Sequence, residues 1–217
     1  MGQVMRMMSY DRAANEAAAV TALDLLGQEL QWFRLDDGVM GGRSETVLHS
    51  SDDTGLKFHG TINTQGGGFC SIRTKSKEGL FQQQDVTGLQ LNFRGDGKTY
   101  KVIMSDGKGG SPFTGSPSWQ IDLPTKRAED EETMIFFSDL KPSFGGSPKS
   151  RPEDVAKYKF DPSDIREIGL MLSLKLSDGS SNPKETFGEG IFPFLLHVNF
   201  IKVIRKTEEE EQPTCQS

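Results

Sequence analysis

The sequence predicts an all-β protein, an antiparallel β-sandwich of the jelly-roll type, and three observations carry that reading. Apolar and polar residues alternate in eight or nine short runs, the period of a half-buried strand. Turn clusters rich in glycine and aspartate separate the runs. Between the runs no segment has the length and period of a crossover helix, which leaves antiparallel sheets packed face to face. Composition agrees, with 24 Gly and 14 Phe in 217 residues, a turn-rich pattern unlike that of a helical bundle. The length fits one domain with a real core. We read it as a sandwich over 31–206, with an N-terminal helical extension over 1–30 and an acidic disordered tail over 207–217.

The Ala-rich stretch 11–30 places Val20, Leu23, Leu26 and Leu30 at near-helical spacing and follows Ser9 and Asp11, both good caps, so it predicts an amphipathic helix packed on the sandwich edge. The segment from Trp32 to Ser44 comes next and is the densest in chemistry. Gly38, Gly41 and Gly42 permit positive φ and close backbone approach. Asp36 and Asp37 can accept from local N–H groups, and Val39 and Met40 are expected to plug the space between them. None of these side chains is a nucleophile.

Strand-like alternation then runs through Leu56, Phe58, Gly60 and Ile62; Cys70, Ile72 and Thr74; Leu89, Leu91 and Phe93; and Tyr100, Val102 and Met104. It resumes at Trp119, Ile121 and Leu123, at 134–137, at Ile168 to Leu176, and at Phe192 to Val198. The apolar phase slips between Phe200 and Ile201, which predicts a bulge. Two stretches resist assignment, a charged loop over 126–133 and a Gly- and Pro-rich excursion over 142–164, the latter either a candidate contact surface or a decorative insertion.

The formal net charge of -6 argues against a nucleic-acid partner, whose footprint is basic. Only Cys70 and Cys215 are present, too few for a disulfide framework, so a reducing compartment is expected. No apolar run reaches the ~20 residues of a membrane-spanning helix. The first residues lack a secretory core, and their mixture of basic and acidic residues makes an equivocal transit signal.

Several motifs fail on inspection. Gly97-Lys98-Thr99 ends like a phosphate loop but has Asn92 where a glycine belongs and runs into a strand; this and Gly95-Asp96-Gly97 are expected to be hairpin turns. His49, His59 and His197 stand singly, without zinc spacing. A calcium cage from Asp36, Asp37, Asp52, Asp53 or Asp96 stays open, as does a hydrolytic pair of Asp37 and Asp96, although aspartates in glycine turns mostly serve their own backbone. No cofactor is expected. Arg73 and Arg94, inside apolar strands, must each either emerge at a sheet face or find a carboxylate, for which Asp36, Asp37 and Asp96 are candidates. Trp119 reads as core, and Trp32 as either core or an exposed platform.

Asp36-Asp37-Gly38-Val39-Met40-Gly41-Gly42-Arg43-Ser44, Gly67-Gly68-Phe69-Cys70-Ser71-Ile72-Arg73, Arg94-Gly95-Asp96-Gly97-Lys98 with Tyr100, Ile168-Gly169-Leu170-Met171-Leu172 and Gly190 with Phe192 together resemble the complex I intermediate-associated protein 30 family. The likeness runs from about Gln31 to Ile204 in the same order and spacing. It implies a galactose-binding-like sandwich that works without catalysis, as an assembly factor or chaperone for intermediates of respiratory complex I in mitochondria; plastid and cytoplasmic settings stay open. Where that family often has an arginine after the aromatic of a loop motif, this chain reads Phe144-Gly145-Gly146. The residues expected to have structural or partner-binding roles are Trp32, Asp36, Asp37, Gly38, Val39, Met40, Gly41, Gly42, Ser44, Arg73 and Asp96. The alternative reading is a carbohydrate-binding module of the same fold, with an exposed Trp32 or Trp119 as its platform.

Overall fold

The computed structural model describes residues 18–24, 26, 30–51, 55–77, 80, 85–107, 117–144 and 158–206. The expected acidic tail, the first seventeen residues, and Asp52, Asp53 and Cys215 lie outside them. Twelve strands follow in chain order: β1 (Ala18–Asp24), β2 (Trp32–Arg34), β3 (Glu45–Ser51), β4 (Gly55–Asn63), β5 (Phe69–Thr74), β6 (Val86–Asp96), β7 (Thr99–Asp106), β8 (Ser118–Pro124), β9 (Arg127–Phe136), β10 (Lys141–Ser143), β11 (Ile165–Ser173) and β12 (Ile191–Lys206). They form two six-stranded sheets. The first runs β3-β4-β12-β6-β9 with β1 also paired to β12, and the second runs β10-β8-β7-β11-β5-β2. Every pairing is antiparallel, as a fold without crossover helices requires.

One apolar core lies between the sheets, filled by Phe58, Leu91, Phe93, Phe194 and Leu196 from the first and Ile72, Tyr100, Met104, Leu123, Leu170 and Leu172 from the second. Phe58 packs edge-on to Phe194 in its own sheet at 4.9 Å and to Tyr100 across the core at 6.1 Å, the geometry that aromatic quadrupoles favour. The expected phase slip is present as a register shift between Val198 and Phe200.

Three expectations are corrected. Residues 18–24 are a strand and not part of a helix: β4 pairs with β12 only as far as Val198, so the last residues of β12 present an open edge, which β1 fills. Unpaired backbone groups on that edge outweigh the alanines' helix propensity, which, though the highest of any residue, is worth less than about 1 kcal/mol each. The charged stretch 126–133 is not a loop but the start of β9, which among the described residues is an edge strand paired only to β6; charge suits an edge because it discourages further pairing. The glycine turns are not hairpins. The turn after β6 passes from the first sheet to the second, as do those at 64–68 and 35–44 between the sheets they join.

Register gathers five such corners, β2–β3, β4–β5, β6–β7, β8–β9 and β11–β12, at one end of the sandwich. At a corner the chain must turn sharply between layers about 10 Å apart, which is why the glycines concentrate there.

Candidate functional site

Asp37 opens a single 3-10 turn, Asp37–Met40, in the β2–β3 corner, and its side chain is 1% exposed. Its carboxylate accepts from the Ser44 backbone N–H at 2.9 Å, the Ser44 hydroxyl at 2.6 Å, and the N–H groups of Gly68 at 2.6 Å and Phe69 at 3.3 Å. One side chain thereby ties the β2–β3 corner to the β4–β5 corner. Burial pushes the carboxyl's pKa up, but these four donors more than offset it and hold the group below its ordinary value. The glycines make room: a Cβ at Gly42 or Gly67 would overlap the Asp37 carboxyl. Gly41 closes the turn at φ 86°, where only glycine is unstrained.

Asp36 serves the neighbouring strand, accepting from the Thr46 N–H at 2.9 Å and from the Thr46 hydroxyl. Asp96 ties down the β6–β7 corner, accepting from the Tyr100 hydroxyl at 3.0 Å and the Leu195 N–H at 3.1 Å, with the Lys98 ammonium 3.8 Å away. The partners of Asp37 and Asp96 do not overlap, and each carboxylate accepts from N–H and O–H donors of its own corner. Among the described residues no cluster of three or more His, Cys, Asp or Glu is placed to hold a metal.

The expected ion pairs form with other partners. Arg73 meets Glu167 at 3.2 Å and Arg94 meets Asp130 at 3.6 Å, because each arginine points away from the core on its strand and finds the carboxylate nearest across the sheet. The corner aspartates are left to backbone donors. Trp119 is 5% exposed and stacks edge-on against Phe160 at 5.5 Å, while Trp32 packs partly buried against the core.

Val39 and Met40 do not plug the corner. They are 69% and 78% exposed, because the interior position of the turn is taken by the Asp37 carboxylate and its donors. Ile191, at 70%, and Leu174, at 38%, stand at the same end. Leu174 donates its N–H to Gly68 O, and Gly190, the residue before Ile191, accepts from the Thr64 N–H. Four aliphatic side chains therefore project around the 64–68 corner. Sequence reasoning found the corner but not this surface, since alternation predicts burial for Leu174 and says nothing of Ile191.

The molecule is a galactose-binding-like jelly-roll sandwich with one end closed by carboxylate-stapled corners. The profile of the Complex I intermediate-associated protein 30 (CIA30) family matches residues 24–197, and the chain belongs to that family. It is 34% identical over 168 residues to an uncharacterized protein of Schizosaccharomyces pombe, covering 69% of this chain and 74% of the relative. Among solved structures it is similar to the family 11 carbohydrate-binding module of a cellulosomal cellulase from Clostridium thermocellum, with 14% identity and a TM-score of 0.54 over 89% of this chain and 98% of that one. At that identity the likeness concerns the fold alone.

Proposed function

We propose that the protein is a non-catalytic assembly factor or chaperone that binds protein intermediates of respiratory complex I in mitochondria, using the stapled corner as its docking tip. The observation that carries this reading is the exposure of Val39 and Met40 on a turn held rigid by buried Asp37. With the backbone of the turn already held, contact costs little further backbone entropy, and the apolar side chains bury area in a partner. Membership of the family supplies the complex I context. The carboxylates at this end are consumed in holding backbone, which suits binding and not bond-making. Among the described residues no helix is long and apolar enough to cross a membrane. The carbohydrate-module alternative lacks the platform foreseen for it, since Trp119 is buried and Trp32 packs on the core.

Capture from a mitochondrial extract tests the proposal. The wild-type chain is expected to retain complex I subunits, and the double variant Val39→Asp, Met40→Asp to lose them with its melting temperature unchanged. Equal capture by both proteins, or no respiratory subunit on either, would sink it.

A further inference from the structure

The outer face of the first sheet carries an apolar stripe beside a row of cations. Alternation sends Leu56, Phe58, Phe93, Phe194 and Leu196 into the core, so Lys57, His59, Arg94, Pro193, Leu195 and His197 turn outward. Register sets them in rows across the strands. Val47, His59 and Leu195 lie side by side on β3, β4 and β12, and Lys57, His197 and Arg94 lie side by side on β4, β12 and β6. The first row is apolar at both ends, with Val47 41% exposed and Leu195 48%. Exposed Pro193 and Ile191 continue the stripe along β12. A sheet face that met only water would carry polar side chains at these positions, and contiguous exposed apolar side chains mark contact surfaces.

Charge on this face is segregated. β4 and β12 contain no acidic residue, and the one in β6, Asp96, is turned into its corner, where it accepts from the Tyr100 hydroxyl and the Leu195 N–H. The outward acids stand on the outermost strands, Glu45 on β3 and Asp130 and Glu132 on β9. Glu132 accepts from the Gln90 amide, and Asp130 meets Arg94 at 3.6 Å in a pair open to solvent, the kind that contributes little and is readily exchanged. Lys57 is exposed and, among the described residues, meets no carboxylate. Neighbouring strands are about 4.8 Å apart, so Lys57 and Arg94 straddle His197 with about 10 Å between their backbones, and their long side chains can close on one carboxylate above it. Outward positions recur about every 6.6 Å along a strand, and an extended peptide has the same repeat. A carboxylate held over His197 therefore brings the alternate side chains of its own chain over Leu195 and Pro193.

We propose that this face binds an extended segment of a partner protein that carries a carboxylate and, two and four residues from it, apolar side chains. The segment lies along β12, its carboxylate between Lys57 and Arg94 and its apolar side chains on Leu195, Val47 and Pro193. Charge complementarity selects the acidic group, because the central strands present outward cations and no outward acid in a chain whose net charge is -6. The alternate spacing of the aliphatics selects an extended segment over a helix, whose side chains recur on one face every three or four residues. This surface is distinct from Val39 and Met40 and does not depend on docking at the tip.

Two end-blocked octapeptides, Ser-Leu-Ser-Leu-Ser-Glu-Ser-Gly and the same residues in reverse order, test it when titrated into the full chain and followed by amide chemical shifts. One of them is expected to bind with a Kd of about 1 mM or tighter and to shift the amides of Lys57, Leu195 and His197. Glutamine in place of the peptide's glutamate, serine in place of its leucines, and Lys57→Glu in the protein should each weaken binding about tenfold. The peptide changes leave the protein untouched, so a folding defect cannot produce their effect. The Val39→Asp, Met40→Asp double variant should bind the peptide as wild type does, which separates failure of this face from failure of the tip. Three results overturn the proposal: no shift with either peptide at about 10 mM, equal binding of the glutamate and glutamine peptides, or a response of these amides to a second copy of the chain or to phosphatidylserine vesicles in place of the peptide.

Discussion

Asp37 shows how much one carboxylate can organise when every donor around it is a backbone or hydroxyl group already in place. Removing it as Asp37→Ala leaves the N–H groups of Ser44, Gly68 and Phe69 without their acceptor in a buried corner. We expect a loss of about 2–4 kcal/mol in urea denaturation. The same carboxyl has a lowered pKa in the fold, so its stabilisation is complete above the ordinary aspartate value and is lost as pH falls through the depressed one. An acid titration of wild type against the variant should converge at the acid end. Lys101 is the opposite case. Its ammonium is held down to about 8 from 10.5, so between those values the unfolded chain binds more protons and stability rises with pH. Lys101→Met should be more stable at neutral pH by on the order of 1–3 kcal/mol and should lack that rise, as thermal melts across the window would show.

Among the elements, β9 is the one whose sequence misleads most. Four consecutive acids read as a solvated loop, yet they lie on an edge where only one side must pair and charge is welcome. The strand begins irregularly, with its register to β6 slipping between Arg94 and Asp96. Ala128 sits in this slip at φ 59°, a left-handed conformation that costs an alanine but not a glycine. Ala128→Gly is therefore expected to be neutral or stabilising by up to about 1 kcal/mol in thermal melts, whereas the same change at an ordinary exposed strand position destabilises. β1 teaches the complementary lesson, that an alanine-rich segment takes the conformation of whatever open edge it meets.

At the scale of the whole molecule, the corners convert local turns into one rigid end. Asp37 joins two of them, Asp96 binds the β6–β7 corner to β12, and Thr125 of the β8–β9 corner donates its hydroxyl to Lys98 O at 2.8 Å. Rigidity there predicts that Gly67→Ala, which would drive a methyl into the Asp37 carboxyl, reaches beyond its own turn. Amide exchange should quicken in the β2–β3 corner as well as at 64–68, and stability should fall by about 2 kcal/mol or more. A change confined to residues 64–68 would contradict the coupling.

The sequence by itself determined the sandwich class, eight of its strands, the bulge near Phe200 and the family, because period-two alternation and glycine-acid strings are local properties legible in one dimension. It also located the Asp36–Ser44 unit as a structural device. Which donors Asp37 would find, which carboxylates Arg73 and Arg94 would meet, and that Val39 and Met40 would face water were decided only by the tertiary structure. Those outcomes depend on residues thirty to a hundred positions away, brought alongside by the crossing of the chain between sheets. The polar outer face of the second sheet was hidden for the same reason: alternation tells that Lys101 and Gln120 turn from the core, but only packing encloses them.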